Sequence, residues 1–173
     1  MTQGRRAPQF VARAATEKDG DSLGAFTCAT GPWFEREVES YARKHALRRV
    51  MATPSTYRLL VLHEDERLVA CAAHHPEVLL REDATGILAT RLQLLAIATT
   101  DQGRRLEDGT RLSDTVMQTL IADAIETRGT PVLTGIVAQE NVRSMACCER
   151  NGLRSQVAYD DLHVRLSGHF ARR

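Results

Sequence analysis

The sequence predicts an α/β (α+β) domain in which a central mixed, mostly antiparallel sheet carries helices on both faces. The order of apolar patterns leads to this prediction: a pair of strands comes first, and strands then alternate with helices to the end of the chain. The 173 residues are 43% hydrophobic and 26% charged, which is enough to bury one core without disulfides or metals. We therefore expect a loose leader at residues 1–8 and a single domain over residues 9–173.

The first half of the chain supplies the predicted hairpin and its neighbours. Its expected elements are a strand at 9–15, a short helix within 17–28, a helix at 32–51, and strands at 57–63 and 67–75. The longer helix starts at Pro32, because proline suits a first helical turn, and Phe34, Val38 and Tyr41 fall on one face. Residues 64–66 make the hairpin turn, and residues 76–85 are expected to form a loop.

The second half alternates strands and helices. The expected elements are a buried strand at 90–98, a helix capped by Ser113 and ended at Gly129, a strand at 131–138, a short helix from Asn141 to Gly152, and one or two strands within 155–166. Ser and Asn are favoured N-cap residues, and glycine commonly ends a helix. Gly135, inside a strand, predicts either a bulge or a close backbone approach.

Charge and cysteine usage narrow the class of protein. The net charge of +1 argues against a domain that holds duplex nucleic acid by neutralising phosphates. The four cysteines form no CxxC pair and suit reduced thiols, so we expect a cytoplasmic protein with no metal site. No stretch resembles a signal peptide or a membrane span, and the hydrophobic content is compatible with a homodimer.

Two segments, residues 95–117 (LAIATTDQGRRLEDGTRLSDTVM) and residues 141–153, together with the order of elements, resemble the GNAT superfamily of N-acetyltransferases. Residues 141–153, NVRSMACCERNGL, look like the family's Asn-x-x-Ala-x-x-Leu-Tyr-Glu-x-x-Gly-Phe motif. Residues 95–117 look like its Leu-Ala-Val strand end followed by Gln/Arg-x-x-Gly-x-Gly/Ala at a helix start, with about seven residues inserted after Gln102-Gly103-Arg104. The resemblance extends over residues 9–166 and implies the GNAT fold, with acyl-coenzyme A as co-substrate.

The altered motif predicts the cofactor site. Unpaired N–H groups and the dipole at a helix start bind a pyrophosphate, and arginines add charge-assisted hydrogen bonds. Together with the resemblance, this assigns cofactor binding to Ala96, Ile97, Gln102, Gly103, Arg104, Arg105, Arg111, Leu112, Ser113 and Asn141. Arg111 stands where the family has glycine and could crowd the phosphates. The alternative is a solvated, charge-rich loop with no ligand.

The catalytic groups are less well defined by the motifs. Cys148 occupies the position where the family often has a tyrosine that protonates the leaving thiolate. It could be a substitute acid, a small residue that enlarges the acyl pocket, or a sign that catalysis is lost. The candidate base is His75, drawn from a group near one strand end: His74, His75, Glu77, Glu82 and Asp83. His163 is a further candidate.

The resemblance implies transfer of an acetyl or other acyl group from acyl-coenzyme A to an unidentified amine. Two alternatives remain. The altered glycines and missing tyrosine are also compatible with a non-catalytic acyl-coenzyme A-binding or protein-interaction domain. The basic end of the helix at 32–51 is compatible with a GNAT-type toxin that acylates aminoacyl-tRNA, although such a run more often forms a solvated helix face.

Overall fold

A computed structural model of the chain describes residues 10–80 and 84–171. The predicted leader at 1–8 lies outside the described residues, and so do residue 9 and residues 172–173 of the predicted domain. The base candidates Glu82 and Asp83 also lie outside them. None of the helices in the described ranges is long and apolar enough to span a membrane.

Within residues 10–80 and 84–171, seven strands form one mixed sheet. They are β1 (Phe10–Ala14), β2 (Arg58–Glu64), β3 (Arg67–Leu80), β4 (Gly86–Ile97), β5 (Val132–Ala138), β6 (Ser155–Ala158) and β7 (His163–His169). Their order across the sheet is β1-β2-β3-β4-β5-β7-β6. Every neighbouring pair is antiparallel except β4 and β5, which are parallel. The predicted fold class, a mostly antiparallel mixed sheet with helices on both faces, is therefore confirmed.

Five α-helices cover the two faces of the sheet. They are α1 (Gly20–Gly24), α2 (Trp33–Tyr41), α3 (Leu47–Ala52), α4 (Leu112–Arg128) and α5 (Val142–Arg150). A π-helical turn at Ala42–Ala46 joins α2 to α3, so the predicted helix at 32–51 is one helical segment with a π turn inside it. The predicted helix at 17–28 is shorter than expected, since only a 3-10 turn at Glu17–Asp19 precedes α1.

The core has one apolar cluster on each face of the sheet. One face packs Leu60, Leu92 and Leu133 against α4 and α5. The other face packs residues of β2, β3 and β4 against α1, the π turn and α3, where Ala42 and Ala46 are fully buried. Strand β4 contributes to both clusters, as its nearly continuous apolar sequence predicted.

The predicted loop at 76–85 is wrong in most of its length. Strand β3 continues to Leu80 and pairs with β4 from Gly86 onward, so the two strands form a long hairpin. Pro76 suggested a strand end because it lacks an N–H donor. However, β2 ends its pairing with β3 at His74, so Pro76 lies where β3 has no neighbour on its second side, and proline is tolerated there.

The predicted N-cap is wrong for α4 and confirmed for α5, the two helices that pack on the same face of the sheet. Helix α4 starts at Leu112 with Arg111 as N-cap, so Ser113 lies in the first turn and is not the cap. The reason is that the Leu112 N–H donates to the Arg104 carbonyl (3.0 Å), which fixes the helix start one residue after Arg111. In α5, the predicted cap is confirmed: the Asn141 side chain accepts a hydrogen bond from the Ser144 N–H at 3.1 Å.

Candidate functional site

Strands β4 and β5 separate partway along the sheet. They pair only over residues 90–92 and 133–135, after which β4 stays on β3 and β5 stays on β7. A wedge-shaped gap therefore opens between them, and the backbone groups of β4 that face it have no strand partner. At the start of the gap, Gln93 is skipped in the pairing of β4 with β3, which marks a bulge that bends β4. Gly135 lies at the last parallel pair, and its pairing with β7 contains no bulge.

Two cavities meet at this gap. The loop cavity, about 550 Å³, lies between the segment 102–113 and the start of α5. The inner cavity, about 350 Å³, lies between α2, the gap and α5. Both are lined by Val38, Leu95, Asn141, Ser144 and Cys147, so the two cavities adjoin at the gap, one beside the start of α4 and the other beside α2. We call the two adjoining cavities the passage.

Most of the predicted cofactor residues line the loop cavity. They are Ala96, Ile97, Gln102, Gly103, Arg105, Arg111, Ser113 and Asn141. Leu112 does not line it, because its side chain is buried in the core beneath α4. The Ser113 N–H lies in the first turn of α4, where N–H groups have no partner within the helix.

The inserted residues between Arg104 and Ser113 fold as a small hairpin. Arg105 bridges to Arg111, and the Leu106 N–H donates to the Thr110 carbonyl at 2.8 Å. Gly103 and Gly109 have φ angles of 76° and 81°, a region that disfavours residues with a Cβ. The hairpin places two exposed arginines, Arg105 and Arg111, at the rim of the loop cavity. The arginine at the family's glycine position therefore extends from the rim and is not buried in the site.

Arg104 does not line the loop cavity but anchors the segment from behind. Its guanidinium binds the Glu64 carboxylate at 2.5 Å and the Asp101 carboxylate at 3.0 Å, and Asp101 also binds Arg67. The hydrogen bond from Arg67, helped by those from Thr100 and Arg104, outweighs burial and lowers the pKa of Asp101 to about 2. This ion-pair network fixes the start of the loop to the turn between β2 and β3.

Helix α5 brings Asn141 and Cys148 to the inner cavity. The Asn141 side-chain oxygen caps the helix, which leaves its amide N–H groups available to the cavity. Burial, with a smaller contribution from Cys147 and Glu149, raises the pKa of the Cys148 thiol to about 12. Cys148 is therefore positioned at the cavity wall as an uncharged, weakly acidic thiol.

The two adjacent histidines point to opposite faces of β3, as strand alternation predicts. His74 is fully buried on the α4 face, with its Nε2 at 2.8 Å from the Asp123 carboxylate. His75 lies on the other face, with Nδ1 at 2.9 Å from the Pro76 carbonyl and Nε2 at 3.1 Å from the Gln93 side chain. Neither histidine lines the passage, although Gln93 does.

His163 does line the inner cavity, together with side chains that sequence reasoning did not assign to a site. Its Nδ1 lies 2.9 Å from the Asp160 carboxylate, and its ring packs edge-on against Trp33. A histidine whose Nδ1–H is held by a carboxylate presents Nε2 as a proton acceptor. The residues missed from the sequence are Phe34, Glu37, Tyr41, Arg91 and Gln93. They come from two distant segments, α2 and β4, and the packing of α2 against β4 brings them together.

Within the described parts of the chain, no group of three or more His, Cys, Asp or Glu side chains is placed to hold a metal ion. No protein-family model and no curated protein matches the sequence. Solved structures do match.

The PaiA N-acetyltransferase from Thermoplasma acidophilum, in complex with coenzyme A, is 10% identical and aligns with a TM-score of 0.68, over 94% of this chain and 99% of that one. A putative GNAT-family acetyltransferase from Desulfovibrio desulfuricans is 12% identical, with a TM-score of 0.66 over 94% of this chain and all of that one. A mutant AtaT toxin, bound to the C-terminus of the antitoxin AtaR and acetyl-CoA, is 15% identical, with a TM-score of 0.62 over 92% of each chain.

These structures share the fold of this chain at identities where only the fold can be compared. The fold implied by the resemblance at residues 95–117 and 141–153 is therefore confirmed: the chain has the fold of GNAT acetyltransferases.

Proposed function

We propose that this protein transfers an acyl group from acyl-coenzyme A to an amine. The observation that carries the proposal is the passage, the two adjoining cavities at the gap between β4 and β5. It joins a helix N-terminus flanked by arginines at one end to a chamber with polar side chains at the other. A long ligand with an anionic end and a reactive end fits such a passage better than a compact metabolite does.

The chain's residues fit coenzyme A at the loop end. The Ser113 N–H in the first turn of α4, together with Arg105 and Arg111, forms an anion site for the pyrophosphate. The Leu112 N–H takes no part, because it donates to the Arg104 carbonyl. The unpaired backbone of β4 beside Leu95 and Ala96 suits the amide groups of the pantetheine arm. When bound, acyl-coenzyme A supplies an activated thioester, which would lie near the Asn141 amide in the inner cavity.

On the acceptor side, His163 is our proposed base. The amine must be neutral to attack a carbonyl, so a proton acceptor has to face it. His163 Nε2 suits this role because Asp160 orients the ring from the other nitrogen. His75, the base predicted from the sequence, has both ring nitrogens engaged and would act only through Gln93. The assignment of His75 as the base stays a prediction, and variants of both histidines can test it.

We propose that Cys148 shapes the acyl chamber and donates no proton. A thiol with a pKa of about 12 is a weaker acid than a typical free thiol, whose pKa is about 8.5. Proton transfer from Cys148 to a leaving thiolate would therefore be uphill. A small side chain at this position leaves room in the inner cavity for the acyl group, and the thiolate can take its proton from solvent.

Calorimetric titration with acetyl-CoA and with free coenzyme A tests the cofactor site. We expect micromolar dissociation constants, equivalent to roughly 8 kcal/mol. Ser113→Glu, which puts a negative charge among the first N–H groups of α4, should weaken binding at least tenfold. Ser155→Glu makes the same change on the exposed edge strand β6 and should leave binding unchanged. No binding at millimolar ligand would overturn the proposal.

Turnover separates the enzyme from a binding domain. Release of free thiol from acetyl-CoA over a panel of primary amines should exceed the rate without amine. Tight binding without turnover of any amine would instead favour the non-catalytic alternative.

The basic helix end gives little support to a tRNA acceptor. Arg43 binds the Gly24 carbonyl, and Arg49 stacks over the Tyr57 ring, so part of the run is used inside the fold. A cell-free translation reaction containing acetyl-CoA should therefore continue unimpaired when the protein is added.

A further inference from the structure

Two arginines lie together beside the acceptor end of the inner cavity. Arg91, on β4, lines the cavity, and Arg165, on β7, lies next to it across β5. Both guanidinium groups contact the carboxylate of Glu77, and both lie beneath the ring of Tyr159, at 5.9 and 5.1 Å from its centre. These four residues, Arg91, Arg165, Glu77 and Tyr159, form one cluster.

The hydrogen bonds of this cluster are incomplete. Among the described residues, the buried side-chain nitrogen and oxygen atoms that lack a partner are Nε of Arg91 and Nε of Arg165. Buried polar groups are nearly always paired, and an unpaired one costs about 1–3 kcal/mol. Two such donors in one cluster, one of them on an arginine that lines the inner cavity, indicate a site for an acceptor group that the folded chain does not itself supply.

The charges of the cluster favour an anion. Two arginines face a single carboxylate, and the Glu77 oxygens are already used by the arginines and by Thr134 at 2.7 Å. Burial opposes ionisation of Glu77, but the hydrogen bonds from Arg91 and Thr134 outweigh it and lower its pKa, so it stays charged. One positive charge therefore remains uncompensated within the cluster.

The other carboxylates near the cavity do not cancel this charge. Asp160 is held by His163 and by the backbone N–H groups of Leu162 and His163. Glu37 lines the cavity from α2, on the wall opposite the sheet. That position suits the positive charge that an amine carries before it loses its proton.

The geometry favours a carboxylate over a compact anion. Guanidinium groups bind carboxylates through two parallel hydrogen bonds. Each arginine of the cluster contacts the same Glu77 oxygen, Oε1, through one terminal nitrogen, so neither guanidinium is engaged in such a pair by Glu77. We propose that Arg91 and Arg165 bind a carboxylate of the acceptor, so that the acceptor is an amine that also carries a carboxylate, as in amino acids. This inference rests on the acyl-transfer function proposed above and names the class of acceptor for it.

The test compares matched acids and amides by calorimetry on the full chain saturated with free coenzyme A, so that no reaction occurs. The probes are glycine, β-alanine, γ-aminobutyrate and L-glutamate, each paired with its carboxamide, and inorganic phosphate. At least one acid should bind ten or more times as tightly as its amide, and phosphate should bind more weakly than that acid.

Three variants locate the effect. Arg91→Met should remove the preference for acid over amide while leaving the dissociation constant of coenzyme A unchanged, which also shows that the variant is folded. Arg48→Met, a matched change at an exposed arginine outside both cavities, should have no effect. Glu77→Gln removes the internal carboxylate and should tighten binding of the acid, a gain that loss of folding cannot produce.

Acids and amides that bind equally, or a panel in which neither class binds, would overturn the inference. Phosphate binding more tightly than every acid would also overturn it. If coenzyme A binds and amides are acetylated as fast as acids, the inference fails while the acyl-transfer function stands. If coenzyme A itself does not bind, the proposed function has failed as well.

Discussion

At the scale of single residues, Cys148 is a difference from the GNAT motif that residues 141–153 resemble, because it stands where that motif has tyrosine. The sequence predicted three roles for it, and its position at the wall of the inner cavity leaves the thiol uncharged and weakly acidic. The motif could locate the residue because helical spacing fixes its place on α5. Its acidity could not be predicted, because it depends on burial by segments far away in the chain.

Replacing Cys148 by serine should keep kcat/KM within about threefold, because the proposed role is to provide space and not a proton. Loss of a general acid typically costs 10²–10⁴-fold. Steady-state rates with the best amine of the panel would distinguish the two. A loss of about a hundredfold in a variant that still binds coenzyme A normally would show that Cys148 is the acid after all.

His163 and His75 offer a direct comparison of two candidate bases. We expect His163→Gln to lower kcat about a hundredfold and to flatten the rise of rate with pH, because the proton acceptor is lost. His75→Gln should have a much smaller effect on the pH profile, since His75 contacts the cavity only through Gln93. Measuring kcat against pH for both variants checks this, and the reverse ranking would restore His75 as the base.

At the scale of elements, the sequence predicts that the loop 102–113 binds the cofactor, but it does not predict that the inserted residues form a small hairpin. Gln102, Gly103 and Ser113 could be assigned from motif spacing, and they line the loop cavity. Arg104 was expected to contact phosphates but anchors the loop through Glu64 and Asp101. Sequence alone could not separate these roles, because an arginine beside an anion site and an arginine in an ion pair have the same local sequence.

Asp101 should make stability depend on pH. Its pKa falls from 3.8 to about 2 on folding, so its contribution is present above about pH 4 and is lost as the pH falls from about 4 to about 2. Asp101→Asn should lower the free energy of unfolding by about 1–2 kcal/mol at pH 7, since the bonded arginines are partly open to solvent.

Urea unfolding of the wild type and of Asp101→Asn between pH 7 and pH 3 would measure this difference. The gap between the two should narrow at the acid end. The exposed Asp161→Asn serves as the matched control and should follow the wild type throughout. A difference between wild type and Asp101→Asn that stays constant down to pH 3 would contradict the pKa assignment.

At the scale of the whole molecule, the sequence predicted the sheet class, the helix ends at Gly129 and Asn141, and the loop end of the passage. These follow from local rules of capping, periodicity and motif spacing. It did not predict the long β3–β4 hairpin, because Pro76 is tolerated only where β2 has already ended. Nor did it predict the chamber residues Arg91, Tyr41 and Gln93, which meet only because β4 lies beside β5 and beneath α2.

The central claim is that coenzyme A lies in the gap between β4 and β5. Amide hydrogen exchange of the protein with and without saturating coenzyme A tests it most directly. We predict slower exchange in three segments, 93–97, 103–113 and 141–148, and little change in β1, β2 and β6. Protection confined to another surface, or no change despite saturating ligand, would contradict the claim that the passage is the cofactor site.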